Sequence, residues 1–124
     1  GCRIKLIQDC DVTACIATCF PDCGIDMYIG TGGSPEAVIS AAAMKCLGGS
    51  LYAFLADKNG FKLNDKVMTI EDLAKGPVMF SATGITSGQL LEGVKFNIRG
   101  PVTNSITMRS DSGTIRRITT EHGN

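Results

Sequence analysis

The sequence predicts an α/β fold in which helices flank a mixed sheet. Helical and strand patterns alternate through the first half of the chain, and strand patterns dominate the second half. Glycine or proline separates most of these segments, as is typical of turns. We therefore expect strands that are parallel near the start and antiparallel toward the end. A length of 124 residues, with 44% hydrophobic and 19% charged side chains, allows one globular domain with its own core.

The first strand and the first helix follow each other closely. Residues 2–8 alternate in polarity enough to form a strand. The letters "DCD" come next, and residues 12–19 have the pattern of a short helix that either Asp9 or Asp11 caps. The letters "FPDCG" then predict a turn.

A second strand and a second helix repeat this order. Residues 26–29 are expected to form a short buried strand, and the letters "GTGG" a loop. Ser34 is the expected cap of a helix that has Pro35 at its first position and runs to about Leu47. A glycine pair directly after this segment ends the helix.

The second half of the chain contains mostly strands. The letters "TIEDLAKG" predict a short helix that Thr69 caps, with Asp72 three residues later. The letters "SDSG" predict the turn of a hairpin, and residues 121–124 a loose tail, so that His122 has no expected role. Strands are expected at residues 50–55, 78–82, 94–99, 105–109 and 114–120.

Charge and cysteine content limit the class of protein. Twelve basic and twelve acidic side chains cancel, and no long basic run occurs, so we expect no nucleic acid partner. No apolar run has membrane-spanning length, and we expect no membrane partner. The six cysteines show neither C-x2-C pairs nor a signal-peptide pattern beside them, which favours reduced thiols and a cytoplasmic protein. A redox or metal sensor built on the cysteines of residues 10–23 is an alternative.

The letters "GTGGSPE", residues 30–36, have the composition of an anion site. Glycines let an anion approach the backbone, and the first N–H groups of the following helix have no partner within the helix. The alternative is an ordinary strand-to-helix turn. Glu36 would repel a phosphate unless a divalent cation lies between them, whereas the plainer interpretation is that Glu36 favours the helix dipole.

The letters "DCD" place two carboxylates beside this loop. If the strand continued through them, Asp9 and Asp11 would point to the same side. Both follow the end of a predicted strand, as the glycine loop does, and the ends of parallel strands are neighbours. Sugar hydroxyls or a metal ion are suitable ligands for such a pair. The simpler role for Asp11 is that of a helix cap.

Three stretches resemble one known family. These are "DCDVTACIATCFPDCGIDMYIGTGGSPEAVISAAAMKCLGG", "LAKGPVMFSATGITSGQLLEGVKF" and "TNSITMRSDSGTIRRI". In this order they are similar to the C-terminal part of class II fructose-1,6-bisphosphatase, a family whose cyanobacterial members also hydrolyse sedoheptulose-1,7-bisphosphate. The resemblance implies the layered α/β fold of the lithium-sensitive sugar phosphatases. It also implies metal-dependent hydrolysis of the 1-phosphate of fructose-1,6-bisphosphate to fructose 6-phosphate and phosphate, with Mn2+ or Mg2+ as cofactor.

The resemblance further implies roles for individual residues. Glu36 matches a metal-binding glutamate, and Gly33, with Gly32 beside it, matches a glycine whose backbone contacts substrate. Residues 9–11 match a D-G-D segment that contacts the sugar phosphate, which makes Asp9, Cys10 and Asp11 candidate substrate-binding residues. Cys10 departs from the pattern, because it replaces the glycine of that segment. No catalytic residue is assigned within this chain.

The family's remaining metal carboxylates belong to an N-terminal half that this sequence lacks. We therefore expect residues 1–124 to be a C-terminal, substrate-facing domain whose partners are the N-terminal half and the bisphosphate substrate. We also expect a homo-oligomer, because the surface left by a missing half is apolar. The alternative function is a non-catalytic domain or subunit that binds a sugar phosphate and assembles with a partner chain.

Overall fold

The computed structural model describes residues 1–123, which contain short helices and antiparallel sheets. The α/β class is therefore confirmed. The helices are α1 (Asp11–Ala17), a 3-10 turn (Pro21–Cys23), α2 (Ser34–Leu47) and α3 (Ile70–Leu73). The strands are β1 (Tyr52–Ala53), β2 (Met68–Thr69), β3 (Met79–Thr83), β4 (Lys95–Asn97), β5 (Gly100–Arg109) and β6 (Ile115–Glu121).

The two main helices form where the sequence predicts them, but their caps differ from the prediction. Asp11 is the first residue of α1, and the cap position belongs to Cys10, without a side-chain hydrogen bond. At α2 the cap position belongs to Gly33, while Ser34 is already helical. The predicted stop is confirmed, because Gly48 adopts the left-handed conformation with φ of 75° and donates its N–H to the Met44 carbonyl.

Strand β5 is the centre of the larger sheet, and all its neighbours are antiparallel. β6 pairs with one edge of β5 from Val102 to Met108. The other edge pairs with β4 at its start and with β3 over its second half. A separate two-stranded sheet joins β1 to β2. Within residues 1–123 every strand pair is antiparallel, so the parallel part of the predicted mixed sheet does not form.

The core lies between the helices and one face of this sheet. Ile106 and Met108 of β5 are fully buried, and Ile16 of α1 is buried with them. The cluster is completed by Phe20, Ala43, Cys46 and Leu90. Because Phe80 and Ala82 pair with Met108 and Ile106, the same face of β3 also points toward the helices. The helices thus form one layer and the sheet a second.

Two predicted strands near the start are wrong. Residues 2–8 and residues 26–29 have no strand assignment, and the side chains of Ile4, Leu6 and Ile29 are exposed. A strand requires a neighbour that accepts its backbone hydrogen bonds, and no described segment supplies one. Residues 50–55 are only partly a strand, since β1 contains two residues.

The short helix and the hairpin are confirmed. At α3, the Asp72 carboxylate accepts the backbone N–H of Thr69 at 2.9 Å and its hydroxyl at 3.2 Å. In the hairpin between β5 and β6, Gly113 has φ of 64° and donates to the Arg109 carbonyl. The expected loose tail is wrong for His122, whose N–H donates to Pro101 O at 2.8 Å. The last residue lies outside the described range.

None of the helices within residues 1–123 has both the length and the apolar character needed to cross a bilayer. In the same range the six cysteines are all free, with Cys15 and Cys46 buried. Burial raises the pKa of both thiols, which keeps them protonated at neutral pH. Helix packing therefore accounts for these two cysteines as small apolar side chains.

Candidate functional site

The glycine loop leads directly into helix α2. Gly33 has an extended backbone with φ of −75° and ψ of 158°, and no side chain caps the helix. Pro35 contributes no N–H, so the free donors of the first turn are the N–H groups of the other early residues. These donors and the helix dipole favour an anion at this end of α2. The geometry leaves room for an anion here, and the anion site stays a prediction.

Glu36 lies over this loop. Its carboxylate occupies the space that a Cβ atom on Gly33 would need. The Glu36 side chain is exposed, as are Gly32 and Gly33, so a bound ligand could reach all three. A carboxylate at this point is next to the very donors that attract an anion, and a cation between the two would make the arrangement favourable.

Asp11 faces the same loop from helix α1. Its Oδ2 lies 3.4 Å from the position of a Cβ atom on Gly32, and its Oδ1 accepts a hydrogen bond of 2.9 Å from the Tyr28 hydroxyl. Asp11, Gly32, Gly33 and Glu36 therefore belong to one surface. We call these four residues the loop site.

Asp9 and Cys10 have different neighbours. They line an open cleft of about 340 Å³ whose lining also includes Gly88 and Gln89. The prediction that Asp9 and Asp11 share one side assumed a continuous strand, and that strand does not form. Instead Cys10 has φ of 63° and ψ of 42°, the only positive φ of a non-glycine residue in the described range. This left-handed turn separates Asp9 from Asp11.

The left-handed conformation of Cys10 is one that favours glycine. Glycine adopts this conformation freely, whereas a side chain makes it unfavourable by about 1–2 kcal/mol. A glycine at this place in the D-G-D segment would therefore suit the backbone, and the cysteine keeps the same turn. Asp9, first through a hydrogen bond and then through its charge, raises the pKa of the exposed Cys10 thiol. The thiol is thus protonated at neutral pH.

Three residues near these candidates, one beside the glycine loop and two in the cleft, are not predicted from the sequence. Tyr28 carries the hydrogen bond to Asp11, although the two residues are 17 positions apart. Gly88 and Gln89 line the same cleft as Asp9. Gly88 and Gln89 belong to the stretch "ATGITSGQLLEG", which resembles the family, and this resemblance was the available signal for them. Nothing local in the sequence indicates the contact between Tyr28 and Asp11.

The loop site supplies one carboxylate that could bind a cation and one that is already hydrogen-bonded. Throughout residues 1–123 no three His, Cys, Asp or Glu side chains are close enough to hold a metal ion together. Hard divalent cations take about six oxygen ligands. Glu36 alone could therefore supply only one of the oxygen ligands that such a cation takes.

Comparison with known proteins gives a consistent result. The profile of the family described as "Bacterial fructose-1,6-bisphosphatase, glpX-encoded" matches residues 1–122. The chain is 39% identical over 145 aligned positions to "D-fructose 1,6-bisphosphatase class 2/sedoheptulose 1,7-bisphosphatase" of Synechocystis sp. (strain ATCC 27184 / PCC 6803 / Kazusa). Proteins of the same name from two Synechococcus strains, JA-2-3B'a(2-13) and JA-3-3Ab, are 37% identical. Each match covers 98% of this chain, which spans 42% of the length of these curated relatives.

Proposed function

The chain belongs to the family of bacterial, glpX-encoded fructose-1,6-bisphosphatases, and from this membership we propose that it forms the substrate-facing part of such an enzyme. The proposed reaction is hydrolysis of the 1-phosphate of fructose-1,6-bisphosphate, which gives fructose 6-phosphate and phosphate. Sedoheptulose-1,7-bisphosphate is a second proposed substrate, because the names of the cyanobacterial relatives include it. The observation that carries the proposal is the Glu36 carboxylate over Gly33 at the start of α2.

We propose that Glu36 is a ligand for Mn2+ or Mg2+. Its position beside the free N–H groups of α2 supports this role, since those groups favour a phosphate and the carboxylate favours a cation. When bound, the metal would neutralise charge on the phosphate and activate the attacking water. The chain's own contribution is to fix one carboxylate next to the phosphate position.

The glycines and the three residues of the D-C-D segment are proposed to bind the sugar phosphate. The backbone of Gly32 and Gly33 is exposed, so it could approach phosphate oxygens closely. Asp11 faces this loop and can accept hydrogen bonds from sugar hydroxyls. Asp9 and Cys10 line the adjacent cleft, where the sugar or the second phosphate would extend. The catalytic residues are proposed to lie outside this chain.

The proposed partner of this domain is an additional N-terminal half, like the part of the relatives that this chain does not match. The side chains of Ile4 and Leu6 are 83% and 91% exposed, and those of Met27 and Ile29 are 74% and 87% exposed. They lie on the two segments that are predicted as strands but pair with no strand in the described residues. Since the relatives are more than twice as long as this chain, an additional half has the length to supply neighbouring strands. Residues 1–124 would then be a C-terminal domain.

Two further properties are proposed, an oligomeric state and a compartment. Exposed apolar side chains such as Phe96 and Ile98 offer a surface for a second copy of the protein, which supports a homo-oligomer. Free cysteines support a reducing compartment, the cytoplasm. Size-exclusion chromatography of the family-length protein tests the first property.

A non-catalytic sugar-phosphate-binding domain is the second candidate. It is favoured by the observation that the loop site contains one available carboxylate and that no described cluster could hold a metal. Such a domain would use the same glycine loop and the same helix N-terminus. Its binding of fructose-1,6-bisphosphate would not depend on Mn2+.

The test is a full-length chimera in which this chain replaces the matching segment of the Synechocystis relative. We expect the chimera to release phosphate from fructose-1,6-bisphosphate with Mn2+ and to lose this activity with a chelator. The unmodified relative is the positive control, and circular dichroism with size-exclusion chromatography verifies folding. A folded chimera that binds the bisphosphate without Mn2+ and releases no phosphate would support the second candidate instead.

A further inference from the structure

The hydrogen bond between Tyr28 and Asp11 joins two segments of the chain that are distant in sequence. The Tyr28 hydroxyl donates to Asp11 Oδ1 at 2.9 Å, and the bond is partly buried. The other oxygen, Oδ2, is left facing Gly32. One carboxylate is therefore held at one oxygen and presented to the glycine loop with the other.

The Tyr28 ring packs against the glycine loop. Its hydroxyl and the adjoining ring carbons fill the space in which a Cβ atom on Gly30 would stand. Gly30 belongs to the same loop as Gly32, so the ring packs on the loop while its hydroxyl reaches across to α1. The segment from Tyr28 to Gly32 and the first residue of α1 are thus linked by this one side chain.

We propose that Tyr28 is a positioning residue that holds Asp11 against the glycine loop, so that both act on the same sugar phosphate. The inference rests on the proposed function and extends it to a residue that the glycine and carboxylate motifs do not include. Without the phenol, Asp11 is free to turn toward the N-terminus of its own helix, where the first N–H groups of α1 attract a carboxylate and no side chain caps them.

Tyr28 is a constant donor over the range in which a sugar phosphatase operates. Burial, followed by the hydrogen bond to Asp11 and the charge of that carboxylate, raises the pKa of Tyr28 to about 12. The phenol therefore stays protonated, and the contact does not change with pH near neutrality. Its effect should appear in substrate binding rather than in a pH profile.

The activity test compares Tyr28→Phe with the matched control Tyr52→Phe in the full-length chimera. Tyr52 is the other of the two tyrosines and is 74% exposed. Because a hydrogen bond to a charged group contributes free energy equivalent to about tenfold in affinity, we expect Tyr28→Phe to raise KM for fructose-1,6-bisphosphate about tenfold. kcat should change little, and Tyr52→Phe should change neither constant.

A double variant separates positioning from simple loss of structure. In an Asp11→Ala background, Tyr28→Phe should cause no further rise in KM, because the group that it orients is gone. A general folding defect would lower kcat with the amount of active protein and leave KM unchanged. Equal effects of Tyr28→Phe with and without Asp11 would overturn the inference.

Tyrosine fluorescence tests the hydrogen bond between Tyr28 and Asp11 without a measurement of enzymatic activity. This experiment uses the 124-residue chain by itself, which has no tryptophan and two tyrosines. Its Tyr52→Phe variant therefore emits tyrosine fluorescence from Tyr28 alone. A carboxylate that accepts a phenol hydrogen bond quenches tyrosine emission, and we expect Asp11→Ala to increase it. If emission increases but the chimera releases no phosphate, the proposed function fails while the contact stands. Unchanged emission contradicts the contact itself.

Discussion

The Glu36 carboxylate lies over Gly33, in the space that a side chain at position 33 would occupy. The two residues are three positions apart at the start of α2, where residues at this spacing share one face of the helix. A glycine is therefore required for this orientation of Glu36, although the backbone of Gly33 is in a conformation that any residue adopts.

A methyl group at position 33 should displace the Glu36 carboxylate without unfolding the helix. We expect Gly33→Ala in the full-length chimera to raise the Mn2+ concentration for half-maximal phosphate release about tenfold, the effect typical of a disturbed metal ligand. Titration of activity with Mn2+ measures this. Gly123→Ala is the control, because a Cβ atom there meets nothing within 4 Å. An unchanged Mn2+ requirement would mean that the orientation of Glu36 is irrelevant.

The left-handed backbone at Cys10 makes a prediction about stability. Glycine would remove an unfavourable interaction of about 1–2 kcal/mol but would add unfolded-state entropy of about 0.5–1 kcal/mol. We expect Cys10→Gly to increase the free energy of unfolding by about 0.5–1 kcal/mol. Urea denaturation of the chain measures the change, with Cys10→Ala as a control that should stay near the original value. Destabilisation by glycine would contradict the backbone conformation described for Cys10.

The contact between Thr69 and Asp72 predicts a dependence of stability on pH. The backbone N–H of Thr69, followed by its hydroxyl, lowers the pKa of Asp72 in the folded state. The group therefore contributes stability above the unfolded pKa of about 3.9, and this contribution is lost as the pH falls through the lower folded value. Asp72→Ala should be less stable than the parent chain at pH 7, and the difference should shrink on acidification.

Urea midpoints at pH 7 and at pH 3 measure this dependence. Asp65→Ala is the matched control, since no described hydrogen bond or ion pair involves its carboxylate. Its midpoint should follow that of the parent chain at both pH values. If the Asp72→Ala difference were the same at pH 7 and pH 3, the capping contact would not be the cause.

Local signals in the sequence were sufficient for the elements that depend on near neighbours. Helix α2 combines alanine-rich content with Gly48 at its end, and the hairpin depends on Gly113 at the turn. The strand predicted at residues 2–8 failed for the opposite reason. Alternation of polarity makes a strand suitable for a sheet, but only a neighbouring strand can satisfy its backbone, and the described chain supplies none.

In the candidate site, too, contacts between near neighbours in sequence can be predicted and contacts between distant segments cannot. The nearness of Glu36 and Gly33 follows from their spacing at a helix start and could be predicted. The contact of Asp11 with Tyr28 could not, because the fold brings together two residues that are 17 positions apart. The separation of Asp9 from Asp11 also required the structure, since a single left-handed residue, Cys10, redirects the chain between them.

Mn2+-dependent phosphate release by the full-length chimera with Glu36→Gln is the decisive test of Glu36 as a metal ligand. Glutamine keeps the size of the side chain and removes the charge that would bind the cation. We expect phosphate release from fructose-1,6-bisphosphate to fall about a hundredfold. The control Glu92→Gln, which removes an exposed carboxylate paired with Lys95, should keep full activity. Full activity in Glu36→Gln would contradict the assignment of Glu36 as a metal ligand.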